Sequence, residues 1–263
     1  MIDLTVPPDW ARTWAGGGAW VVAVAPTGEV SPDWERPAGA YDPARHLHVG
    51  QASGQPVFAV IESRPGQVRL RDTLTGMEPV RAEVAMRASA LVQFHATNPY
   101  CPQCGGPTAP AETGHSRACA RCDAIHFPRT DPAVIVAVTD AEGRLLLGHH
   151  AGWESTRYSV FAGFVEAGES LEQTVHREVA EEVGLTLTDV AYAGSQPWPM
   201  PRSLMVAFTA RALDGVLHPD GAEIEAARWF SRAGLDEAVA RGEITLPAPA
   251  SIAHRLVSRW YAG

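Results

Sequence analysis

The sequence predicts an α+β protein with a metal-bound module set into it, and three observations carry that reading. All four cysteines fall in one block, Cys101-x₂-Cys104 followed by Cys119-x₂-Cys122. Short strand-like runs such as 133–138 and 203–212 alternate with segments of helical period. A glycine-rich turn at 163–169 runs directly into one of those helical segments, which ends at Gly184-Leu185.

Taken in order, residues 1 to about 96 are rich in Trp, Gly and Pro, with strand-like runs at 20–25 and 56–61. From 80 to 95 a helical period places Val84, Ala88, Leu91, Val92 and His95 on one side. The cysteine block follows. Residues 133–138 then read as a buried strand, 140–143 as a turn and 145–147 as the return strand of a hairpin. Residues 158–164 are a further strand that delivers Gly163. Residues 203–212 and 227–230 are later strands, and Ile252, Ala253, Leu256, Val257 and Trp260 mark an amphipathic closing helix.

Composition narrows the function classes. At 263 residues the chain is long for one core and suits two units plus a small module. A formal charge of −9 argues against broad, nonspecific binding to nucleic acid or anionic membrane. No apolar run approaches the ~20 residues of a membrane span. Met1-Ile2-Asp3 lacks the charged start of a signal peptide, and the run 20–25 is cut off by glycines and Pro26, so a cytoplasmic location is expected.

The segment 163–185 reads G-F-V-E-A-G-E-S-L-E-Q-T-V-H-R-E-V-A-E-E-V-G-L. Ser170 and Gln173 fit a capping box, Leu171, Val175, Val179 and Val183 form an apolar row, and Gly184 is a natural stop. On such a helix Glu178, Glu181 and Glu182 project together, with Arg177 four residues before Glu181 and able to pair with it. Carboxylates that close repel unless a cation sits among them, and a hard divalent ion such as Mg²⁺ or Mn²⁺ prefers oxygen ligands. A solvated Glu-rich helix is the plainer alternative. It leaves the spacing of Gly163, Gly168 and Glu169 unexplained.

Two Cys-x-x-Cys knuckles can close a tetrahedral four-thiolate zinc site, with Gly105 and Gly106 helping the chain turn around the metal. Such a site has no open position, so one structural zinc per chain is expected from Cys101, Cys104, Cys119 and Cys122. Two disulfides are the alternative, but nothing else points to an oxidising compartment. Downstream, 195–203 reads S-Q-P-W-P-M-P-R-S. Its three prolines predict a stiff loop rather than a strand, and Trp198 offers a flat face to the core or to a ligand ring.

The spacing of Gly163, Glu169, Arg177, Glu178, Val179, Glu181, Glu182, Gly184 and Leu185 resembles the Nudix box: glycine, five residues, glutamate, seven residues, then R-E-U-x-E-E-x-G-U, with U a bulky aliphatic. The resemblance implies a Nudix hydrolase, its box within an α/β/α sandwich. The 195–203 run resembles the S-Q-P-W-P-F-P-x-S signature of the NADH pyrophosphatase branch, with Met200 where that pattern has Phe. Met still packs there, but an aromatic contact is lost. That branch carries a four-cysteine zinc ribbon before its Nudix domain, so the resemblance implies an N-terminal mixed α/β domain over 1–96, a ribbon over 97–128 and a Nudix domain over 129–263. It further implies catalytic Mg²⁺ or Mn²⁺ held by Glu178, Glu182, Glu223 and the Ala162 carbonyl, with Glu181 handling the water's proton. Phe164, Phe127 (in place of an expected tyrosine), Ala253 and the signature residues Gln196, Pro197, Trp198, Pro199, Met200, Pro201, Arg202 and Ser203 would line the substrate. His149 and His150, adjacent and so on opposite faces of a strand, carry no expected role.

The activity implied is hydrolysis of the pyrophosphate of NADH or NAD⁺ to nicotinamide mononucleotide and AMP, with removal of NAD caps from RNA 5′ ends as the same reaction on a larger substrate. A broader dinucleotide pyrophosphatase, acting on ADP-ribose or diadenosine compounds, is one alternative. A noncatalytic NAD- or nucleic-acid-binding regulator is the other, and the crowded carboxylates speak against it. The resemblance also implies a homodimer whose active site is completed across the interface, Phe127 facing the Phe164 of a second copy.

Overall fold

The computed structural model describes residues 9–111 and 114–263. The Met1-Ile2-Asp3 start lies outside the described residues. The chain divides into two compact units, one running to Thr130 and taking in Trp198–Arg202, the other comprising Asp131–Pro197 and Ser203–Gly263.

In the first unit α1 (Trp10–Ala15) precedes a three-stranded sheet of β1 (Trp20–Val24), β2 (His46–Ala52) and β3 (Gln55–Ile61) in the order β1-β3-β2. β1 is parallel to β3, and β2 forms an antiparallel hairpin with it. The runs expected at 20–25 and 56–61 are both strands. β2 was not anticipated, because H-L-H-V-G-Q-A breaks the apolar pattern with two histidines and a glycine. Its histidines are nevertheless buried, His46 stacked on Trp14 with ring centroids 4.0 Å apart. After the short α2 (Leu70–Thr73) comes α3 (Pro79–Thr97). Pro at its first position has no N–H to orphan, and the Glu78 carboxylate accepts from the N–H groups of Val80 and Arg81 at 3.1 and 3.0 Å. Val84, Ala88, Leu91, Val92 and His95 are buried on α3, as the period predicts.

The cysteine block folds around β4 (Thr108–Ala111), β5 (Ser116–Cys119) and β6 (Ile125–His126), antiparallel in that order. His95 ties it to α3. Arg117 Nη1 donates to His95 Nδ1 at 2.8 Å, which leaves Nε2–H to donate to the Gly114 carbonyl, also at 2.8 Å. Burial holds the imidazole below its usual pKa and therefore neutral, as an acceptor from arginine must be.

The second unit is a six-stranded mixed sheet between helices. Its strands are β7 (Asp131–Thr139), β8 (Leu145–His150), β9 (Phe161–Phe164), β10 (Leu187–Trp198), β11 (Ser203–Ala212) and β12 (Ile224–Phe230), in the order β10-β11-β7-β8-β12 with β9 paired to β7. Its helices are α4 (Leu171–Val183), α5 (Arg232–Ala240) and α6 (Ile252–Ala262). Alternation along β7 makes the layers. Val134, Val136 and Val138 pack with Val175, Val179 and Val183 of α4, while Ile135 and Ala137 pack with Leu235 of α5 and Leu256 and Val257 of α6. This is the expected α/β/α sandwich.

Three local expectations need correction. Residues 133–138 and 145–147 do lie in strands joined by a turn at 140–143, but the hairpin opens at once: β7 and β8 pair only at Thr139 and Leu145. β9 takes the flank of β7 instead, Ala133 to Val136 pairing with Phe164 to Phe161. Gly148 permits this, since a Cβ there would stand 2.9 Å from the Phe161 ring. The strand expected over 158–164 is therefore only its second half; Tyr158 donates to the Thr245 carbonyl and Ser159 bridges Gly148. Last, 195–198 is not loop but the end of β10. β10 is an edge strand, where Pro197 can leave its missing donor facing away from any ladder. Only 199–202 turns. Among the described residues, no helix is long and apolar enough to cross a membrane.

Candidate active site

α4 begins with the capping box read from the sequence: Gln173 N–H donates to Ser170 Oγ at 3.2 Å and Ser170 N–H donates to Gln173 Oε1 at 2.8 Å. It stops at Gly184, in the left-handed region with φ 74°. Between these limits the helix lays its apolar row on the sheet and lifts its carboxylates beside β9.

Gly163 on β9 is the floor of the cluster. A Cβ there would lie 1.9–2.2 Å from the carboxylate atoms of Glu178, so only glycine lets that carboxylate lie against the strand. Ala162 and Phe164 flank it, both exposed. Glu182 is 6% exposed, and its Oε2 has no hydrogen-bond partner. Burial first, then the charges of Glu178, Glu223, Asp220 and Glu181, push its pKa up to about 8. Burial likewise raises Glu178, opposed by Arg177. An orphaned carboxylate oxygen among other carboxylates is the environment a divalent cation satisfies, so the donor set fits an oxygen-ligated metal.

Arg177 organises the turn as well as the helix. It grips Glu169 bidentately, Nε to Oε1 at 2.6 Å and Nη2 to Oε2 at 2.9 Å, and donates to Glu178 at 2.9 Å, Glu181 at 3.0 Å and the Phe164 carbonyl at 2.9 Å. The guanidinium, with help from the Glu166 N–H and the Thr174 hydroxyl, holds Glu169 down at about 2. The sequence offered Glu181 as the partner of Arg177; Glu169 is the stronger one, and Glu181 stays 63% exposed.

Glu223 arrives from a separate loop. The Asp220 carboxylate accepts from the N–H groups of Ala222, Glu223 and Ile224 at 2.9–3.3 Å, and Asp220 N–H donates to the Glu182 carbonyl at 3.1 Å. The loop is thus pinned to the end of α4, and the Glu223 charge is felt at both Glu178 and Glu182. Sequence reasoning missed Asp220. The signal was there, since Asp followed by Gly-Ala-Glu is a side-chain-capped turn.

The remaining candidates line two further places. Gln196 on β10 donates to the Ala250 carbonyl at 2.8 Å and accepts from Ile252 N–H at 2.7 Å, fixing the approach to α6. One N–H and one lone pair of its amide remain. Ala253, on the first turn of α6, is buried in the core there. Ser203 is buried, Pro197 exposed. In the first unit Trp198 is half-buried, Pro199 buried, Met200 half-buried, and Pro201 and Arg202 exposed; the Pro199 carbonyl accepts from Gln93 of α3 at 2.9 Å. Phe127 (51%) and Phe164 (57%) are both open to solvent, unusual for phenylalanine. His149 is buried, its Nδ1 bonded to the Arg157 carbonyl at 2.9 Å.

The four cysteines form the second cluster. Their sulfurs all lie within 4.8 Å of one another, with Cys101–Cys122 at 3.7 Å and Cys104–Cys119 at 3.6 Å, and none is in a disulfide. Four sulfurs about 2.3 Å from one zinc would stand roughly 3.8 Å apart, so the set fits a tetrahedral ion. The backbone N–H groups of Arg121 and Cys122 lower the Cys119 thiol to about 6, favouring the thiolate a metal needs. Gly106 is required: a Cβ would meet Arg121 at 2.8 Å and the sulfurs of Cys104 and Cys119 at 3.3 Å.

Comparison with known proteins gives the same two regions. Residues 129–249 match the family model described as NUDIX domain, and residues 96–127 match the NADH pyrophosphatase zinc ribbon domain. The chain is 39% identical over 233 residues to a Mycobacterium bovis protein named NAD-capped RNA hydrolase NudC, covering 85% of this chain and 74% of that one. Proteins of the same name from Chromobacterium violaceum and Salmonella typhimurium are 38% and 34% identical, covering 84% and 81% of this chain and 82% and 79% of theirs. A crystal structure of a NUDIX hydrolase from Nitrosomonas europaea superposes with a TM-score of 0.50 at 24% identity, over 62% of this chain and 90% of that one, which supports the fold alone.

Proposed function

Because the chain belongs to the NADH pyrophosphatase family of Nudix hydrolases, we propose that it hydrolyses the pyrophosphate of NADH or NAD⁺ to nicotinamide mononucleotide and AMP, and removes the same group from NAD-capped RNA. One observation carries the reading: a buried Glu182 oxygen without a partner, crowded by Glu178 and Glu223, at the end of an intact box. Glu178, Glu182, Glu223 and the Ala162 carbonyl would hold Mg²⁺ or Mn²⁺, which when bound neutralises phosphate charge and acidifies water.

The chain's own residues do the rest. Arg177 fixes the directions of Glu169, Glu178 and Glu181 at once, so the carboxylates are in place before substrate arrives. The exposed Glu181 carboxylate takes or orients the proton of the water that attacks one phosphorus. Phe164 presents its ring to a base or nicotinamide. Gln196, Trp198 and Ser203, with Phe164, seat the nucleotide, and Pro197, Pro199, Met200, Pro201, Arg202 and Ala253 line the substrate. Product analysis with NADH and Mg²⁺ tests this; AMP plus reduced nicotinamide mononucleotide is expected, and intact NADH would refute it. Met200 in place of Phe favours a shifted substrate preference, read by comparing rates on NADH, NAD⁺, ADP-ribose and NAD-capped RNA.

The same reading includes an N-terminal domain over 1–96, a ribbon over 97–128 and a Nudix domain over 129–263, in a cytoplasmic protein whose thiols stay reduced. It also includes a homodimer in which Phe127 of one copy faces Phe164 of the other. The exposure of both rings supports it. Light scattering should give twice the chain mass at micromolar concentration; a fully active monomer would refute the shared site.

A further inference from the structure

We propose that the loop joining β8 to β9 is a second stacking station, which takes the first nucleotide beyond the NAD of an NAD-capped RNA; this rests on the active-site reading above. The loop carries three planar groups in succession. The rings of His150 and Trp153 stack with centroids 5.5 Å apart and planes 29° from parallel, and the Arg157 guanidinium lies 4.4 Å from the Trp153 centroid.

The stack is built on fixed backbone. Gly152 N–H donates to His150 Nδ1 at 3.0 Å and Trp153 N–H to the His150 carbonyl at 2.9 Å. At the other end Arg157 N–H donates to the Glu154 carbonyl at 2.8 Å, and the Thr156 carbonyl accepts from Thr245 N–H at 2.7 Å. Its position matters as much as its rigidity. Ala151 N–H donates to the Glu223 carbonyl at 2.9 Å, which fastens the loop to the segment carrying one carboxylate of the cluster.

Aromatic rings beside a guanidinium plane are what single-stranded nucleic acid stacks on, and they tolerate any base. Arg157 is exposed, and no carboxylate pairs with it among the described residues, whereas Arg144, Arg177 and Arg241 are all paired. Of the acidic groups nearby, Glu225 Oε2 stands 3.5 Å from His149 Nε2 and Glu154 is exposed. A guanidinium with no carboxylate partner among the described residues, lying beside a stacking plane, suits a base with its phosphodiester. Free NADH has only the two phosphates that the carboxylate site acts on. A capped RNA has a further phosphate, on the 3′ oxygen of the adenosine ribose.

The test compares kcat/KM on NADH and on an NAD-capped RNA for the full chain, Trp153→Ala and Arg157→Ala, with Mg²⁺ present. Each variant should lose about tenfold on the capped RNA while staying within about twofold on NADH. Arg157→Ala should also flatten the salt dependence of capped-RNA binding by roughly one phosphate contact, which a merely structural role would not do. Equal losses on both substrates, or no loss on capped RNA, would overturn the station while leaving the hydrolase reading intact. So would a wild-type protein that cleaves NADH and not capped RNA. Failure of the wild type on both substrates would instead remove the reading on which the station rests. Because Arg157 is exposed, its variant carries the test even where Trp153→Ala folds poorly.

Discussion

The protein holds two clusters of anionic ligands, and they differ in how far the chain itself completes them. In the ribbon, sulfurs are paired across the cluster at 3.6 and 3.7 Å and supported from outside it: Gly106 and Arg121 donate backbone N–H groups to Cys104 and Cys119 at 3.4 Å, and His126 Nε2 stands 3.2 Å from the Cys101 sulfur. On α4 the support is lopsided. Glu169 has Arg177, Thr174 and a backbone N–H, while Glu182, the most buried of the acids, has an oxygen with nothing. A site that only holds the fold can be closed by its own ligands and neighbours. A site that must exchange substrate at its metal keeps unsatisfied oxygen, and its carboxylates are strained towards the protonated form until a cation arrives.

The sharpest way to break this comparison is to remove the orphaned carboxylate. Glu182→Gln should lower kcat by about two or more orders of magnitude while leaving the circular dichroism unchanged, because the variant loses a ligand and relieves a buried charge. Glu178→Gln should behave alike. Near-normal turnover in folded Glu182→Gln would sink the assignment. The opposite pattern is expected at the ribbon. The purified protein should contain about one tightly bound zinc per chain, and stripping it should melt the first unit's ribbon. No zinc together with no titratable thiols would point to disulfides.

A smaller but more geometrical effect is expected at Gly163. Gly163→Ala forces the Glu178 carboxylate off the strand, and a displacement near 1 Å should cost on the order of tenfold to a hundredfold in kcat. The thiolate counterpart, Gly106→Ala, should weaken zinc retention and leave the reaction itself alone. The smallest effect concerns pH. Glu182 titrates near 8 in the folded, metal-free protein and in the ordinary carboxylate range when unfolded. Between those values the folded state binds the extra proton, so metal-free stability should fall as pH rises from about 5 to about 8 and level off above. Saturating Mg²⁺ or the Glu182→Gln change should flatten that slope. A metal-free melting temperature that rises over the same interval would contradict the burial argument.

What the sequence made readable was local chemistry. The capping box, the apolar row of α4, the Gly184 stop and the two cysteine knuckles depend on residues within a turn or two of each other, where spacing dictates geometry. What it hid depends on partners far along the chain. Arg177 chooses Glu169 because the glycine turn folds back over the helix, a fact the i,i+4 rule cannot supply. β9 displaces β8 from β7 because Gly148 makes room for Phe161, thirteen residues later. The three prolines of 195–203 read as loop because proline usually excludes a strand, yet at Pro197 an edge position removes the objection. β2 stayed invisible because its buried histidines look polar until Trp14 is stacked on one of them.

The open carboxylate cluster, and not the thiolate one, is the part of the molecule expected to carry the chemistry. NADH hydrolysis by zinc-loaded protein, with zinc content measured before and after, distinguishes the two clusters when run in the presence and absence of added Mg²⁺ or Mn²⁺. AMP and reduced nicotinamide mononucleotide are expected only when the added ion is present, with the zinc retained throughout. Equal turnover without the added ion, or none with it, would show that the carboxylate cluster does not carry the chemistry.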